Sequence, residues 1–182
     1  VVVDCDYDSN AFKLGRFLLN KGQSTLLYSK GSLDTKADIL DFTIKGAGFD
    51  ASSIYYAVGK DTLISGETLV NLSVNGHTSC PDIRGVVALN NGHVFHIPFD
   101  QIELYLGAAE PVENDPARFN IRSLRLLREG EFEVLAAGYY PIAAEDSLFL
   151  NIDGSGNFLK ILNDFEPFFI APSSHCTFTG RL

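Results

Sequence analysis

IRGVVALNNGHVFHIPFDQIELYLG, residues Ile83 to Gly107, holds the pattern on which the fold class turns. Arg84 to Leu89 is a short run containing β-branched residues. Asn90-Asn91-Gly92 supplies residues that tolerate positive φ, and alternation resumes from His93 to Ile97, so the segment predicts a hairpin that reverses at 90–92. Pro98 ends the second strand. From Gln101 to Leu106, Ile102, Leu104 and Leu106 fall on one face and Glu103 and Tyr105 on the other, the period of a half-buried strand.

Outward from this stretch the same period recurs. Val1 to Tyr7 predicts a strand with Cys5 and Tyr7 on one face and Asp4, Asp6 and Asp8 on the other. Ser9 as a cap, the Leu14/Leu18 pair and Lys21-Gly22 as a stop predict a short helix over Asn10 to Asn20. Gln23 to Ser29 reads as a strand, Gly31 to Ala37 as a loop and Ile39 to Lys45 as a strand. Ser53 to Val58, Thr62 to Ser65 and Thr68 to Val74 read as short strands, and Asn75 to Pro81 as a polar connection. Arg118 to Arg128 has two readings. Pro116 and Gly130 would bound a helix, whereas Ser123 to Leu127 would pair with Phe132 to Ala136 as a hairpin, which the alternation of Phe132 and Val134 with Glu131 and Glu133 favours. Asp153-Gly154-Ser155-Gly156 signals another hairpin, between Leu148–Ile152 and Asn157–Leu162. Phe165 to Ile170 reads as an aromatic closing strand. Roughly ten to twelve short strands with one or two short helices predict an all-β chain, a single domain over 1–182 built as a β-sandwich or jelly-roll-like barrel.

Composition narrows the function classes. The chain has 182 residues, 46% of them hydrophobic and 20% charged, the balance of an ordinary globular domain. Its formal charge is −9 with no basic run, which disfavours direct contact with nucleic acid or an anionic membrane surface. Val134 to Ala144, interrupted by Pro141, is too short to span a membrane as a helix. Cys5, Cys80 and Cys176 show no CxxC spacing, so they signal neither a zinc site nor a disulfide framework, and at most one intrachain bridge is possible. No signal peptide is visible at Val1-Val2-Val3-Asp4, as also expected of an already processed chain.

Four constellations carry possible chemistry. Gly92-His93, His96, Glu103 and Gly107 resemble the metal motif of cupins. There, however, the histidines are two apart, whereas His93 and His96 are three apart and on a regular strand face opposite sides. Val1 to Asp6 is similar to the first motif of haloacid-dehalogenase-type phosphatases. That resemblance would make Asp4 the nucleophile and Asp6 the acid/base of a metal-dependent hydrolase, although Asp8 stands where the motif has threonine. Asp4, Asp6 and Asp8 also resemble positions one, three and five of an EF-hand loop, with Ser9 and Gly15 replacing its glycine and its bidentate glutamate. Tyr55, Tyr56, Tyr139 and Tyr140 are candidate sugar-binding aromatics.

The expectation that follows is a non-enzymatic structural protein, a self-associating acidic building block of a particle, fibre or filament, with a virion component as the most concrete case. Its partners would be itself, as a homo-oligomer, or other proteins of the assembly, with no metal or cofactor. The expected assembly strands carry Val2, Val3, Cys5 and Tyr7 at one end and Phe168 and Phe169 at the other. A carbohydrate- or ligand-binding β-sandwich module is the alternative, ahead of the hydrolase.

Overall fold

The computed structural model describes residues 2–8, 10–21, 24–53, 63–94, 97–107, 118–141 and 149–157. These residues are nearly all β. Ten strands, β1 (Val2–Tyr7), β2 (Ala11–Lys21), β3 (Ser24–Asp34), β4 (Ile39–Asp50), β5 (Glu67–His77), β6 (Cys80–Val94), β7 (Ile97–Gly107), β8 (Arg118–Arg128), β9 (Phe132–Pro141) and β10 (Phe149–Gly156), follow one another in chain order. Each pairs antiparallel with the next, in one sheet of order β1 to β10 that does not close on itself. The predicted all-β class holds at this level.

Several local expectations are corrected. The helix predicted over Asn10 to Asn20 is strand β2. The Leu14/Leu18 pair that suggested it is split: the register slips between Leu14 and Phe17, where Gly15 and Arg16 make a bulge, so Leu14 shares a face with Phe12 and Phe17 while Leu18 falls on the other. The loop predicted at Gly31 to Ala37 is mostly strand, since β3 runs to Asp34. The connection predicted at Asn75 to Pro81 shrinks to Thr78-Ser79 between β5 and β6. Thr62 to Ser65 contributes one isolated bridge, Ile64 to Val94, and residues 54–58 and 62 lie outside the described residues. Asp153 to Gly156 is not a turn but the end of β10. The hairpin favoured around Gly130 is present: Glu129, Gly130 and Glu131 link β8 to β9, Glu131 N–H donates to the Arg128 carbonyl at 3.0 Å, and Gly130, the third residue of that turn, takes the positive φ of 71° that favours glycine there.

Asn90-Asn91-Gly92 does not reverse the chain either, because β6 continues through it to Val94. Glu67 pairs with Asn90 and Ile64 with Val94, so three steps on one side oppose four on the other. The extra residue is accommodated at a bulge around Asn91, φ 52°. Beyond it the sheet coils. Phe99 and Ile102 are three apart, yet both belong to one cluster with Leu89 and Ala51, joined by Ile64, Val94 and Leu126; β7 must therefore rotate between them. A second cluster joins Ile97 and Phe132 to Leu126 and Val134.

Because directly paired residues share a face, the registers sort every strand into two sides. One side is apolar from edge to edge. It carries Phe12 and Leu14 on β2, Phe42 and Ile44 on β4, Val70, Leu72 and Val74 on β5, Ile83 and Val87 on β6, Leu104 on β7, Leu124 on β8 and Ile152 on β10. The other carries Lys13, Asp41, Lys45, Asn71, Arg84, Glu103, Arg125 and Asp153. At Gly31, which pairs with Leu14 and Phe42 on the apolar side, the Phe42 ring lies so close that a Cβ would overlap it. The aromatic ring thereby covers the gap that the glycine leaves.

Candidate functional site

The apolar face and the open edges are the features of this sheet best suited to contact something else. Among the described residues no side chain is less than 2% exposed, and the well-buried apolar ones are Phe49, Ala51, Leu89, Ile97, Phe99, Phe132 and Ala136. They gather toward one end of the sheet and toward β6 to β9. The rest of the apolar face, including Leu14, Phe42, Ile44, Leu72 and Val74, is half-buried. No described element forms a second layer over it.

The edges differ in character. All six residues of β1 are exposed, and among the described strands β1 pairs with β2 only. Val2, Val3, Cys5 and Tyr7, the expected assembly residues of this end, therefore lie on an edge that no further described strand covers. Val3, Cys5 and Tyr7 join the apolar face through Phe17, Leu14 and Phe12, while Val2 sits on the polar one beside Leu18. Asp4 pairs across the strands with Arg16, and Asp6 with Lys13. The aspartates proposed for hydrolysis thus form an exposed acidic row matched by a basic one, an arrangement that contributes to strand pairing. Phe168 and Phe169 lie outside the described residues.

Asp8 serves the turn. Its Oδ1 accepts from the N–H groups of Asn10, at 2.8 Å, and Ala11, at 2.9 Å, and these two hydrogen bonds hold its carboxyl below the usual value of 3.8. Asp34 repeats the device on the N–H groups of Lys36 and Ala37. Asp50 accepts from Ser52 N–H at 2.7 Å, and hydrogen bonding to Ser52 is the main cause of its lowered pKa. An EF-hand-like row is therefore better read as two strand carboxylates followed by a turn carboxylate.

His93 has a partner that its sequence neighbourhood does not announce. Its Nδ1 lies 2.6 Å from Ser65 Oγ, its backbone N–H donates to the same oxygen at 3.2 Å, and Ser65 N–H donates to the His93 carbonyl at 3.0 Å. These contacts pin the β4–β5 connection onto the coiled end of β6. Gly92 makes the approach possible, since a Cβ there would lie 2.0 Å from the Ser65 carbonyl oxygen. His96 lies outside the described residues. Glu103 stands five residues along β7 from Pro98, the partner of His93, about 17 Å away at the strand rise, so His93 and Glu103 are not brought together. Among the described residues no three His, Cys, Asp or Glu side chains gather as a metal site would need.

Glu103 belongs instead to a network on the polar face. Arg125 donates from Nε to Glu133 at 2.7 Å and from NH1 to Gln101 at 2.9 Å, and Gln101 donates to Glu103 at 3.1 Å. The hydrogen bond to Glu133 raises the Arg125 pKa further. Sequence reasoning missed this network because its members come from three strands and meet only once the registers are set. Tyr139 and Tyr140, being adjacent, point to opposite faces: Tyr139 stacks on Phe149 at 5.5 Å on the polar side, and Tyr140 on Phe119 at 6.3 Å on the apolar side. Tyr55 and Tyr56 lie outside the described residues. Cys5 and Cys80 are free and exposed, and Cys176 is outside the described residues.

No protein-family model, curated protein or solved structure matches this chain. Among the described residues no helix is long and apolar enough to cross a membrane.

Proposed function

We propose that this chain is a non-enzymatic building block of a protein assembly, a particle, fibre or filament, of which a virion component is the most concrete case. The observation that carries the reading is that the described residues form a ten-stranded sheet with no further strand on β1, apolar across one whole face, yet without a fully buried side chain. Free edges and uncovered apolar faces are surfaces through which β proteins associate. A second layer on the apolar face would make the molecule a sandwich or jelly-roll-like body.

The exposed carboxylates of β1 and the net charge of −9 oppose association of copies, so salt should strengthen assembly by screening. Light scattering of the intact chain at low and high salt tests the reading, with a defined multimer expected. A monomer at every salt concentration would instead favour a recognition module, for which the Tyr139–Phe149 stack on the polar face, with Phe149 48% exposed, supplies an aromatic platform.

A further inference from the structure

We infer that the half of the apolar face formed by β2 to β5 docks a second copy of this chain, face to face, each copy supplying the other layer of a sandwich. The inference rests on the assembly reading and names its partner.

Burial locates the surface. The buried clusters lie at β6 to β9 and the β4–β5 connection, and on β4 and β5 only the end next to that connection, at Phe49 and Thr68, is buried; farther along, Leu14, Phe42, Ile44, Leu72 and Val74 are half-buried side chains with no layer over them among the described residues. The paired positions Leu14, Gly31, Phe42 and Val74 form one continuous cross-strand row.

Charge selects a second copy over an edge contact. Lys13, Lys30, Asp41, Lys45 and Glu67 point to the opposite face by the same registers. Two molecules of charge −9 can therefore meet here without placing like charges in contact. Edge pairing of β1 with another β1 would instead set Asp4 and Asp6 beside their counterparts, which costs stability.

Area supports it as well. Four strands about 4.8 Å apart and about 37 Å long present roughly 700 Å², close to the roughly 800 Å² per partner of a stable interface. A two-fold face-to-face contact is isologous and closes at the dimer.

The test uses the full chain in analytical ultracentrifugation. The unaltered chain is expected to be a dimer. Leu72→Asp, which places two carboxylates in the apolar contact, is expected to raise the dissociation constant at least ~100-fold, while Asn71→Asp on the opposite face leaves the dimer intact. Circular dichroism checks that both variants remain β. Should Leu72→Asp fail to fold, a nitroxide on Ser73→Cys, on the polar side of β5, with Cys5, Cys80 and Cys176 replaced by serine, gives a second measurement. Sheets packed about 10 Å apart should hold the two labels within ~35 Å, whereas copies joined edge to edge through β1 would separate them by nine strand spacings, about 43 Å, and through β10 by more. A multimer that survives Leu72→Asp, or labels at edge-to-edge distance, overturns the inference and leaves the assembly reading standing. A chain that is monomeric at all concentrations, its apolar face covered by its own segments, overturns both.

Discussion

Phe132 and Phe42 lie on the same apolar face, but Phe132 is 3% exposed among Ile97, Leu126 and Val134, whereas Phe42 is half-buried. Replacing each with alanine separates the built core from the open part of the face. For Phe132→Ala the lost transfer energy is about 2 to 3 kcal/mol. A residual cavity on the order of 50 Å³ adds about 1 kcal/mol, for a total near 3 to 4 kcal/mol. Phe42→Ala loses part of its transfer energy and leaves no closed cavity, because water refills the site, so about 1 kcal/mol is expected in the isolated chain. With a urea m-value near 2 kcal/mol/M, the midpoint should fall by about 1.5 to 2 M for Phe132→Ala and by about 0.5 M for Phe42→Ala. The measurement is urea unfolding followed by circular dichroism, at the lowest protein concentration that gives a signal and again far above it. Equal losses for both variants at high dilution would refute the assignment of the core to the β6 to β9 side. A loss at Phe42 that grows with protein concentration would point to the docked copy.

Gly85 sits at φ 136°, and a Cβ there would lie 2.0 Å from the Asn71 carbonyl oxygen, so Gly85→Ala should destabilise by more than ~1 kcal/mol in the same urea assay; a neutral result would mean that β5 and β6 do not approach as described. Ser65→Ala removes the partner of both His93 Nδ1 and His93 N–H and should cost about 1 to 2 kcal/mol, with amide exchange at His93 accelerating; unchanged exchange would argue against the clasp. Asp8 and Asp50 have lowered pKa values in the folded chain, so their contribution is present above the unfolded value near 3.8 and is lost as pH falls through the folded values. Urea midpoints at successive pH values below 4 should therefore fall less steeply for Asp8→Asn and Asp50→Asn than for the unaltered chain, and parallel curves would contradict the turn assignments.

Alternation is a property of each strand by itself, and for that reason it was legible before any partner was known. Ile102, Leu104 and Leu106 against Glu103 and Tyr105, Leu40, Phe42 and Ile44 against Asp41 and Thr43, and Cys5 and Tyr7 against Asp4 and Asp6 all occupy the faces that their period implies. So were the all-β class and the turn at Gly130. Where the chain departs from a regular pleat, the decision belongs to the neighbouring strand. Leu14 and Leu18 have a helical spacing on paper, and only the register of β2 against β1 and β3, with its bulge at Gly15-Arg16, shows that they lie on opposite sides. Asn90-Asn91-Gly92 is competent to form a turn, but the β5 and β7 ladders run past it on both sides, and its freedom is used at a bulge instead. Arg125 meets Gln101 and Glu133, and Ser65 meets His93, across separations of 24, 8 and 28 residues. No local period encodes such distances. Strand polarity was thus set by side-chain chemistry alone, while openness of the described sheet, its buried end and its half-buried apolar part depend on registers that only the paired strands establish.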